Sequence, residues 1–139
     1  MKRRTFIATS LAATAIAPAA FAMDKSTLAY TDGLVKELLA QGKTVFIDYA
    51  TDWCSTCAAQ ERRMGQLRGE NAAYDANITF VRVDYDEFSG HAISKDHSIP
   101  RRSTLIVLKG DAELGRIVAG TGYNAIKELM DTALAAATS

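Results

Sequence analysis

The chain has 139 residues, which is enough for one ordinary domain but too few for two. Apolar residues make up 48% and charged residues 23%, which excludes a disordered tail, a collagen-like fibre and a coiled-coil rod. Sixteen basic residues balance sixteen acidic ones. We therefore expect no nucleic-acid partner, because binding to the phosphate backbone requires a surplus of positive charge.

The first 22 residues have the layout of a secretory signal peptide. Residues 2–4 are basic, a short and mostly apolar stretch follows, and residues 20–22 form a small-x-small cleavage site. The basic start also fits a twin-arginine export signal, and an uncleaved membrane anchor is a further alternative. Cleavage after Ala22 removes three basic residues and no acidic ones, which would leave a periplasmic domain over residues 23–139 with a net charge of −3.

After this leader, the hydrophobic periodicity predicts alternating helices and strands. In chain order, we predict a helix over 31–41, a strand over 44–49, a helix over 54–74, a strand over 78–84, a short helix over 88–96, strands over 104–109 and 114–119, and a helix over 124–137. Thr31 or Asp32 should cap the first helix, and the first strand should be buried on both faces. The first two strands should be parallel and the last two antiparallel, which gives an α/β fold class with one mixed sheet of about four strands and helices on both faces.

The most informative feature is the motif Trp53-Cys54-Ser55-Thr56-Cys57, which lies where the first strand passes into a helix. Cys54 should sit at the helix N-terminus, where unpaired N–H groups and the helix dipole lower its pKa below the free value of about 8.5. Cys57, one turn later, should lie on the same face and close a redox-active disulfide with Cys54. Cys54 can then attack a partner disulfide, and Cys57 can resolve the mixed disulfide by exchange.

Other roles for the cysteine pair remain open at this point. The pair could be a purely structural disulfide, or it could bind a metal ion. The histidines, His91 and His97, do not have zinc-finger spacing from the cysteines, so we expect them in surface or capping positions and expect no metal site. The alternative function is a non-enzymatic copper-binding module that uses the two thiolates.

Several segments resemble the thioredoxin family. Residues 47–57 look like the family's strand, its buried acid and its Trp-Cys-x-x-Cys motif. Residues 80–86 look like the central strand, residues 103–110 look like the antiparallel hairpin, and Gly120 matches the glycine that follows. The resemblance covers essentially the whole domain after the leader. Its cysteine segment and the following helix look most like the C-terminal domain of the thiol reductase DsbD and similar exported thioredoxins.

This resemblance implies a thioredoxin fold and a thiol–disulfide oxidoreductase that reduces protein disulfides. Asp48 matches the family's buried acid, whose raised pKa would let it exchange a proton with Cys57. Arg82 stands at the position of the family's semi-buried lysine, where an arginine could tune charge but not carry protons, or could simply be solvated. No bound cofactor is implied, because the electrons travel as dithiol and disulfide. The expected partners are client disulfides and a membrane electron-donor protein, and we expect a monomer.

One position departs from the family pattern. The family places a cis-proline directly before the Thr-Leu of the third strand, whereas this chain has Ser103 before Thr104, and Pro100 lies three residues earlier. A cis bond before a non-proline residue costs about 2.5–4 kcal/mol, so we expect a trans bond and an altered client-binding loop. Arg101 and Arg102 would then flank the cysteines and favour the thiolate, unless this loop is merely basic and solvated. The predicted surroundings of the cysteines are therefore Trp53, Ser55, Thr56, Arg102, Ser103 and Thr104.

Overall fold

The computed structural model describes residues 27–139, so the predicted leader and its cleavage after Ala22 lie outside the described residues. The described residues form, in chain order, β1 (Leu28–Ala29), α1 (Leu34–Ala40), β2 (Thr44–Ala50), α2 (Ser55–Glu70), α3 (Ala72–Asn77), β3 (Thr79–Asp84), α4 (Tyr85–Phe88), α5 (Ala92–Lys95), β4 (Thr104–Lys109), β5 (Ala112–Val118) and α6 (Tyr123–Ala137). Among these helices, none has both the length and the apolar character that a membrane span requires.

The strands form one mixed sheet in the order β1-β3-β2-β4-β5. β2 pairs with β3 in parallel and with β4 in antiparallel orientation, and β4 and β5 form an antiparallel hairpin. These pairings confirm the predicted α/β class and strand directions. The sheet has five strands rather than the expected four, because β1 adds a parallel edge strand beside β3. A strand of two residues is too short to show hydrophobic alternation in a sequence.

The sheet has a core on each face. Phe46, Phe80 and Leu105 pack under α2, α3 and α6 on one face, and Ile47, Val81 and other aliphatic residues pack against α1, α4 and α5 on the other. Every residue of β2 is buried, as predicted for a strand covered on both sides. This burial fixes the carboxyl end of β2, which leads directly into the cysteine motif.

Three predicted details of the helices are wrong. The helix expected over 54–74 ends at Glu70, because Asn71 takes an extended conformation and its side chain accepts a hydrogen bond from the N–H of Ala73 to begin α3. The helix expected over 88–96 is two separate single turns, α4 and α5. Neither Thr31 nor Asp32 caps α1. The helix instead follows Gly33, whose φ of 84° is a conformation that glycine adopts readily.

Candidate active site

Cys54 occupies the cap position at the start of α2, four residues after the end of β2. Its backbone is extended, with φ of −87° and ψ of 112°, and its Sγ accepts a hydrogen bond of 3.1 Å from the N–H of Cys57. A sulfur atom thus takes the place that a serine or aspartate oxygen usually fills at a helix N-terminus. The unpaired N–H groups and the helix dipole at this point favour negative charge on that sulfur.

Both cysteines are free thiols in this structure and both are buried, with 6% of Cys54 and 1% of Cys57 exposed. Cys54 is therefore the one of the pair that reaches the surface. Neither of the two residues between the cysteines is buried, since Ser55 is exposed and Thr56 is half-buried. The predicted pair of cysteines thus lies together on the first turn of α2, with the outer sulfur at the end of the helix and the inner one facing the core.

Ser103, which stands where the resemblance implied a position beside the cysteines, faces both of them. Its Oγ lies 3.2 Å from Sγ of Cys54 and 3.1 Å from Sγ of Cys57, and the residue is completely buried. No cis peptide bond occurs among residues 27–139, so the bond before Ser103 is trans. The N–H of Ser103 donates to the carbonyl oxygen of Tyr49, and its own carbonyl oxygen accepts from the N–H of Ala119. These bonds to neighbouring chain segments fix the backbone of Ser103, from which its hydroxyl group reaches the two sulfur atoms.

Sequence reasoning missed Gln60, which is fully buried on α2 behind the cysteines. Its side-chain amide donates to the carbonyl oxygens of Ser103, at 3.0 Å, and Gly120, at 2.9 Å. It therefore ties α2 to the loops before β4 and after β5. Its spacing of three residues from Cys57 places it on the same helix face, and this spacing was the signal in the sequence that could have identified it.

Trp53 and Arg102 form a stack at the surface beside Cys54. The guanidinium carbon of Arg102 lies 4.0 Å from the centre of the Trp53 ring, which is 62% exposed. The indole N–H donates to Oδ2 of Asp86 at 2.7 Å, a partner that the sequence did not indicate. Arg101 does not join the stack, because its Nε donates back to the carbonyl oxygen of Arg102, and Thr104 donates from its hydroxyl to the carbonyl oxygen of Arg101.

The pKa values of the two thiols are shifted in opposite directions. Burial opposes the ionisation of Cys54, but hydrogen bonds from Cys57, Ser103 and Arg102 outweigh it and lower the pKa of Cys54 to about 7. Burial raises the pKa of Cys57, and its hydrogen bond to Cys54 raises this pKa further. The arrangement therefore places the negative charge on the outer sulfur and the proton on the inner one.

Asp48 lies on β2 under α2 and is 4% exposed. Burial, and then the nearby carboxylate of Glu61, raise the pKa of Asp48 to about 8, against an opposing effect of Arg82. Among the residues that the structure describes, its Oδ1 has no hydrogen-bond partner. The carboxyl group lines a cavity of about 330 Å³ whose wall also includes Asp52, Glu61 and Arg82. A carboxyl group whose pKa lies near neutrality is populated in both its protonated and its ionised form, so it can give a proton in one form and accept one in the other.

Arg82 is not a solvated side chain. It lies opposite Asp48 on the neighbouring strand, and its guanidinium group forms ion pairs with Glu61 at 2.9 Å and Asp52 at 3.1 Å. The sequence indicated a charge-tuning position here but did not indicate either carboxylate. Because both carboxylates compensate its charge, Arg82 opposes the raised pKa of Asp48 without overcoming it.

The two histidines lie away from the cysteines. His91 packs its ring edge against Phe88 and lies 3.8 Å from Asp32, and His97 lines a separate surface depression near α1. Within residues 27–139, no group of three or more His, Cys, Asp or Glu side chains is placed to hold a metal ion.

We predict that the rate at which Cys54 reacts with iodoacetamide rises with pH and has its inflection at a pH of about 7. The reason is that only the thiolate is nucleophilic. Cys57 should react only at higher pH. Mass spectrometry of the reduced protein after timed alkylation assigns the modified residue at each pH. An inflection for Cys54 near the free value of about 8.5, or earlier reaction of Cys57, would contradict this electrostatic picture.

We predict that Asp48→Asn weakens the pH dependence of stability. The folded-state pKa of about 8 lies above the unfolded value of about 3.9, so the stability linked to this proton is complete below about pH 4 and is lost as the pH rises through about 8. In urea denaturation of the reduced protein, the free energy of unfolding should fall less between pH 5 and 9 for the variant than for the wild type. Asp111→Asn, at an exposed turn, is the matched control and should keep the wild-type dependence.

Similar proteins and structures support the assignment of the fold. The chain resembles Thioredoxin H5 of Oryza sativa subsp. japonica, with 28% identity over 89 residues that make up 64% of this chain and 62% of that protein. Thioredoxin-T of Drosophila melanogaster is 27% identical over 94 residues, which are 68% of this chain and 56% of that protein. The chain thus spans less than two thirds of the length of these curated relatives.

Solved structures are also similar to this chain, and the similarity covers more of its length. The crystal structure of Trxlp from Edwardsiella tarda EIB202 has a TM-score of 0.64 and 27% identity, and the match covers 75% of this chain and 98% of that one. Thioredoxin of Malassezia sympodialis has a TM-score of 0.66 at 20% identity, with 78% and 93% covered. The predicted thioredoxin fold is therefore confirmed. A family model described as Thioredoxin-like matches residues 27–105, more than half of the chain, and the chain belongs to that family.

Proposed function

We propose that this protein is an exported thiol–disulfide oxidoreductase that reduces disulfide bonds in client proteins. The observation that carries the proposal is the placement of Cys54, whose sulfur caps α2 and accepts the N–H of Cys57. This geometry supplies a thiolate near neutral pH at the protein surface, with a second thiol beside it. A pair held in this way suits exchange with an external disulfide better than a purely structural bridge.

The reaction transfers two electrons from the cysteine pair to the client. The Cys54 thiolate attacks one sulfur of the client disulfide, a new S–S bond forms, and the other client sulfur leaves with the electron pair as a thiolate. Cys57 then loses its proton and attacks the sulfur of Cys54. The bond between Cys54 and the client breaks, the second client thiolate leaves, and the protein is left with a disulfide between Cys54 and Cys57.

The proton of Cys57 needs a base during the second step. Asp48 is the candidate, because it is buried on the strand beneath α2 and its pKa of about 8 is close to that of a thiol. The cavity beside this carboxyl group is also lined by Arg82 and its ion-pair partners, so Asp48 does not face a purely apolar core. Asp48 therefore supports proton transfer at the inner sulfur without a direct contact to the client.

Two features support the reductive direction. The first is the pKa of about 7 for Cys54, which is typical of Cys-x-x-Cys proteins that reduce disulfides. In strongly oxidising Cys-x-x-Cys proteins, the attacking cysteine has a much lower pKa, about 3.5. The likeness to the C-terminal domain of DsbD, which rests on the sequence alone, adds a membrane electron-donor protein as the proposed source of electrons. The exposed ring of Trp53 beside Cys54 offers an apolar contact for the client.

We predict that Cys54→Ser reduces catalysis of insulin disulfide reduction by dithiothreitol to the uncatalysed background. Cys57→Ser should instead accumulate a mixed disulfide with insulin, because the first step proceeds and the second does not. Turbidity and non-reducing electrophoresis measure the two outcomes. Ser89→Ala is the matched control, since this side chain is exposed and lies outside the cysteine motif, and should retain wild-type turnover.

The wild type and the Cys54→Ser variant also test the alternative function, a copper-binding module that is not an enzyme. Turnover that persists in Cys54→Ser would contradict the proposed function, and so would tight stoichiometric binding of Cu(I) in chelator competition without any reductase activity. The reduction potential of the pair, measured by equilibration with glutathione, checks the direction of electron flow. A strongly oxidising value would contradict the reductase assignment and leave only the general thiol–disulfide chemistry.

We predict that export removes the leader. When the full chain is expressed in a bacterium, the periplasmic fraction should contain protein whose N-terminal residue is Met23, as determined by mass spectrometry. Replacing Arg3 and Arg4 together by lysine should abolish export only if the twin-arginine route is used. Recovery of the uncleaved chain from the cytoplasm would contradict the proposed location.

A further inference from the structure

The hydroxyl group of Ser103 lies within hydrogen-bond distance of both sulfur atoms, at 3.2 Å from Cys54 and 3.1 Å from Cys57. The family pattern has proline at this position, and a proline side chain cannot form hydrogen bonds. The chain therefore has a polar group between its two reacting atoms that the usual chemistry of this fold does not include. Its function can be worked out from the number of hydrogen bonds that each group can make.

A serine hydroxyl has one hydrogen to donate and lone pairs with which to accept. In the reduced protein it can donate to only one of the two sulfurs. Cys54 already accepts the N–H of Cys57, which makes its sulfur the better site for negative charge. The consistent arrangement is a hydroxyl that donates to the Cys54 thiolate, while the Cys57 thiol donates its own hydrogen to the same sulfur, and this places the charge on the outer sulfur.

The surrounding chain holds the Ser103 oxygen in place. Its N–H donates to Tyr49 at 2.7 Å, and its carbonyl oxygen accepts from Ala119 at 2.8 Å and from Gln60 at 3.0 Å. These bonds fix the backbone of Ser103, and complete burial of the residue restricts rotation about its Cα–Cβ bond, so the hydroxyl oxygen lies between the sulfurs while its hydrogen can turn about the Cβ–Oγ bond.

The backbone of Ser103 points to a role for its side chain. Its φ of 62° lies in the left-handed region, which glycine adopts at less cost than a residue with a Cβ atom. Strained residues of this kind cluster at functional sites. A serine at this position keeps a hydroxyl group at the sulfurs despite an unfavourable conformation.

We propose that Ser103 is a catalytic residue whose hydroxyl group follows the negative charge from Cys54 to Cys57 during disulfide exchange. This inference rests on the proposed thiol–disulfide chemistry. When Cys54 forms its bond to a client sulfur, it loses its charge and no longer competes for the hydroxyl hydrogen. The hydroxyl then turns and donates to the thiolate that forms on Cys57 as that residue loses its proton to the base. The serine itself neither gains nor loses a proton.

Other charged or titratable groups also face Cys54, and the experiment has to separate their effects. Cys57 lies on α2, Arg102 lies in the loop before β4 and hydrogen-bonds to Cys54, and Asp48 acts from β2. Arg102 and Asp48 are unchanged when only the side chain of Ser103 is replaced, and Cys57, which contacts the same hydroxyl group at 3.1 Å, has a raised pKa and titrates above Cys54. A change in the ionisation of Cys54 in such a variant therefore reports the hydroxyl group.

The test is a pH titration of the Cys54 thiolate by its ultraviolet absorbance in the reduced, purified protein. Ser103→Gly removes the hydroxyl and relieves the left-handed backbone, so it should fold at least as well as the wild type. We expect its inflection to move up by about one pH unit, so that the thiolate fraction below the inflection falls about tenfold, as a hydrogen bond to a charged group implies. Ser103→Ala should give the same shift.

The matched control is Ser98→Gly. Ser98 is also a serine with a left-handed backbone, with φ of 51°, but it is exposed and lies outside the cysteine site. It should not change the titration. A second measurement is the rate at which a preformed mixed disulfide releases its client in a single turnover, which should be slower by severalfold in Ser103→Gly.

The outcomes separate this inference from the proposed function. A titration of Ser103→Gly that coincides with the wild type overturns the role of the hydroxyl, even if the wild type reduces insulin well. An unchanged rate of client release overturns the transfer of the hydrogen bond to Cys57. A wild type that fails to reduce insulin, with the titration shift present, would count against the proposed function and leave the hydrogen bond to Cys54 supported.

Discussion

The hydrogen bond from the N–H of Cys57 to the sulfur of Cys54 is the interaction on which the site depends. It requires that α2 begin immediately after Cys54, and this start is set by β2, whose seven residues are all buried between two layers of helices. The core therefore determines where the helix begins, and the helix determines which sulfur is exposed to its N–H groups. The asymmetry between two chemically identical thiols follows from this order, since one sulfur caps the helix and the other faces the interior.

Burial acts in the same direction on the pKa of all three ionisable groups of the site, but the outcome differs between them. It raises the pKa of Asp48 to about 8 and raises that of Cys57, because neither position supplies enough compensating charge. At Cys54 the same penalty is present, yet hydrogen bonds from the helix start and from Ser103 exceed it. A single buried strand and the helix that follows it thus produce a thiolate, a retained thiol and a protonated carboxyl group within one layer of the fold.

The sequence predicted the architecture well, because a buried strand, a parallel crossover and a tight hairpin each leave a pattern of apolar residues that tertiary contacts then reinforce. The expectation that Ser103 lies near the cysteines came from the resemblance to the thioredoxin family, since Ser103 stands where the family has a proline before the third strand. Contacts between distant segments were not predictable in this way. Gln60 reads as an ordinary polar helix residue, and the partnership of Asp86 with Trp53 joins positions 33 residues apart. The break of the long helix was missed because it depends on the local extended conformation of Asn71.

The hydrogen bonds of the Ser103 backbone have a consequence for recognition. Its N–H and its carbonyl oxygen are both engaged inside the protein, with Tyr49 and Ala119. An extended polypeptide that approached Cys54 could not add itself to the sheet through this residue, since such strand addition requires free main-chain groups on the receiving edge. For the clients proposed above, discrimination at this residue would therefore fall to side chains, among them the cationic stack of Arg102 on Trp53. Such a stack can select by charge and aromatic contact rather than by the sequence-independent pairing of backbones.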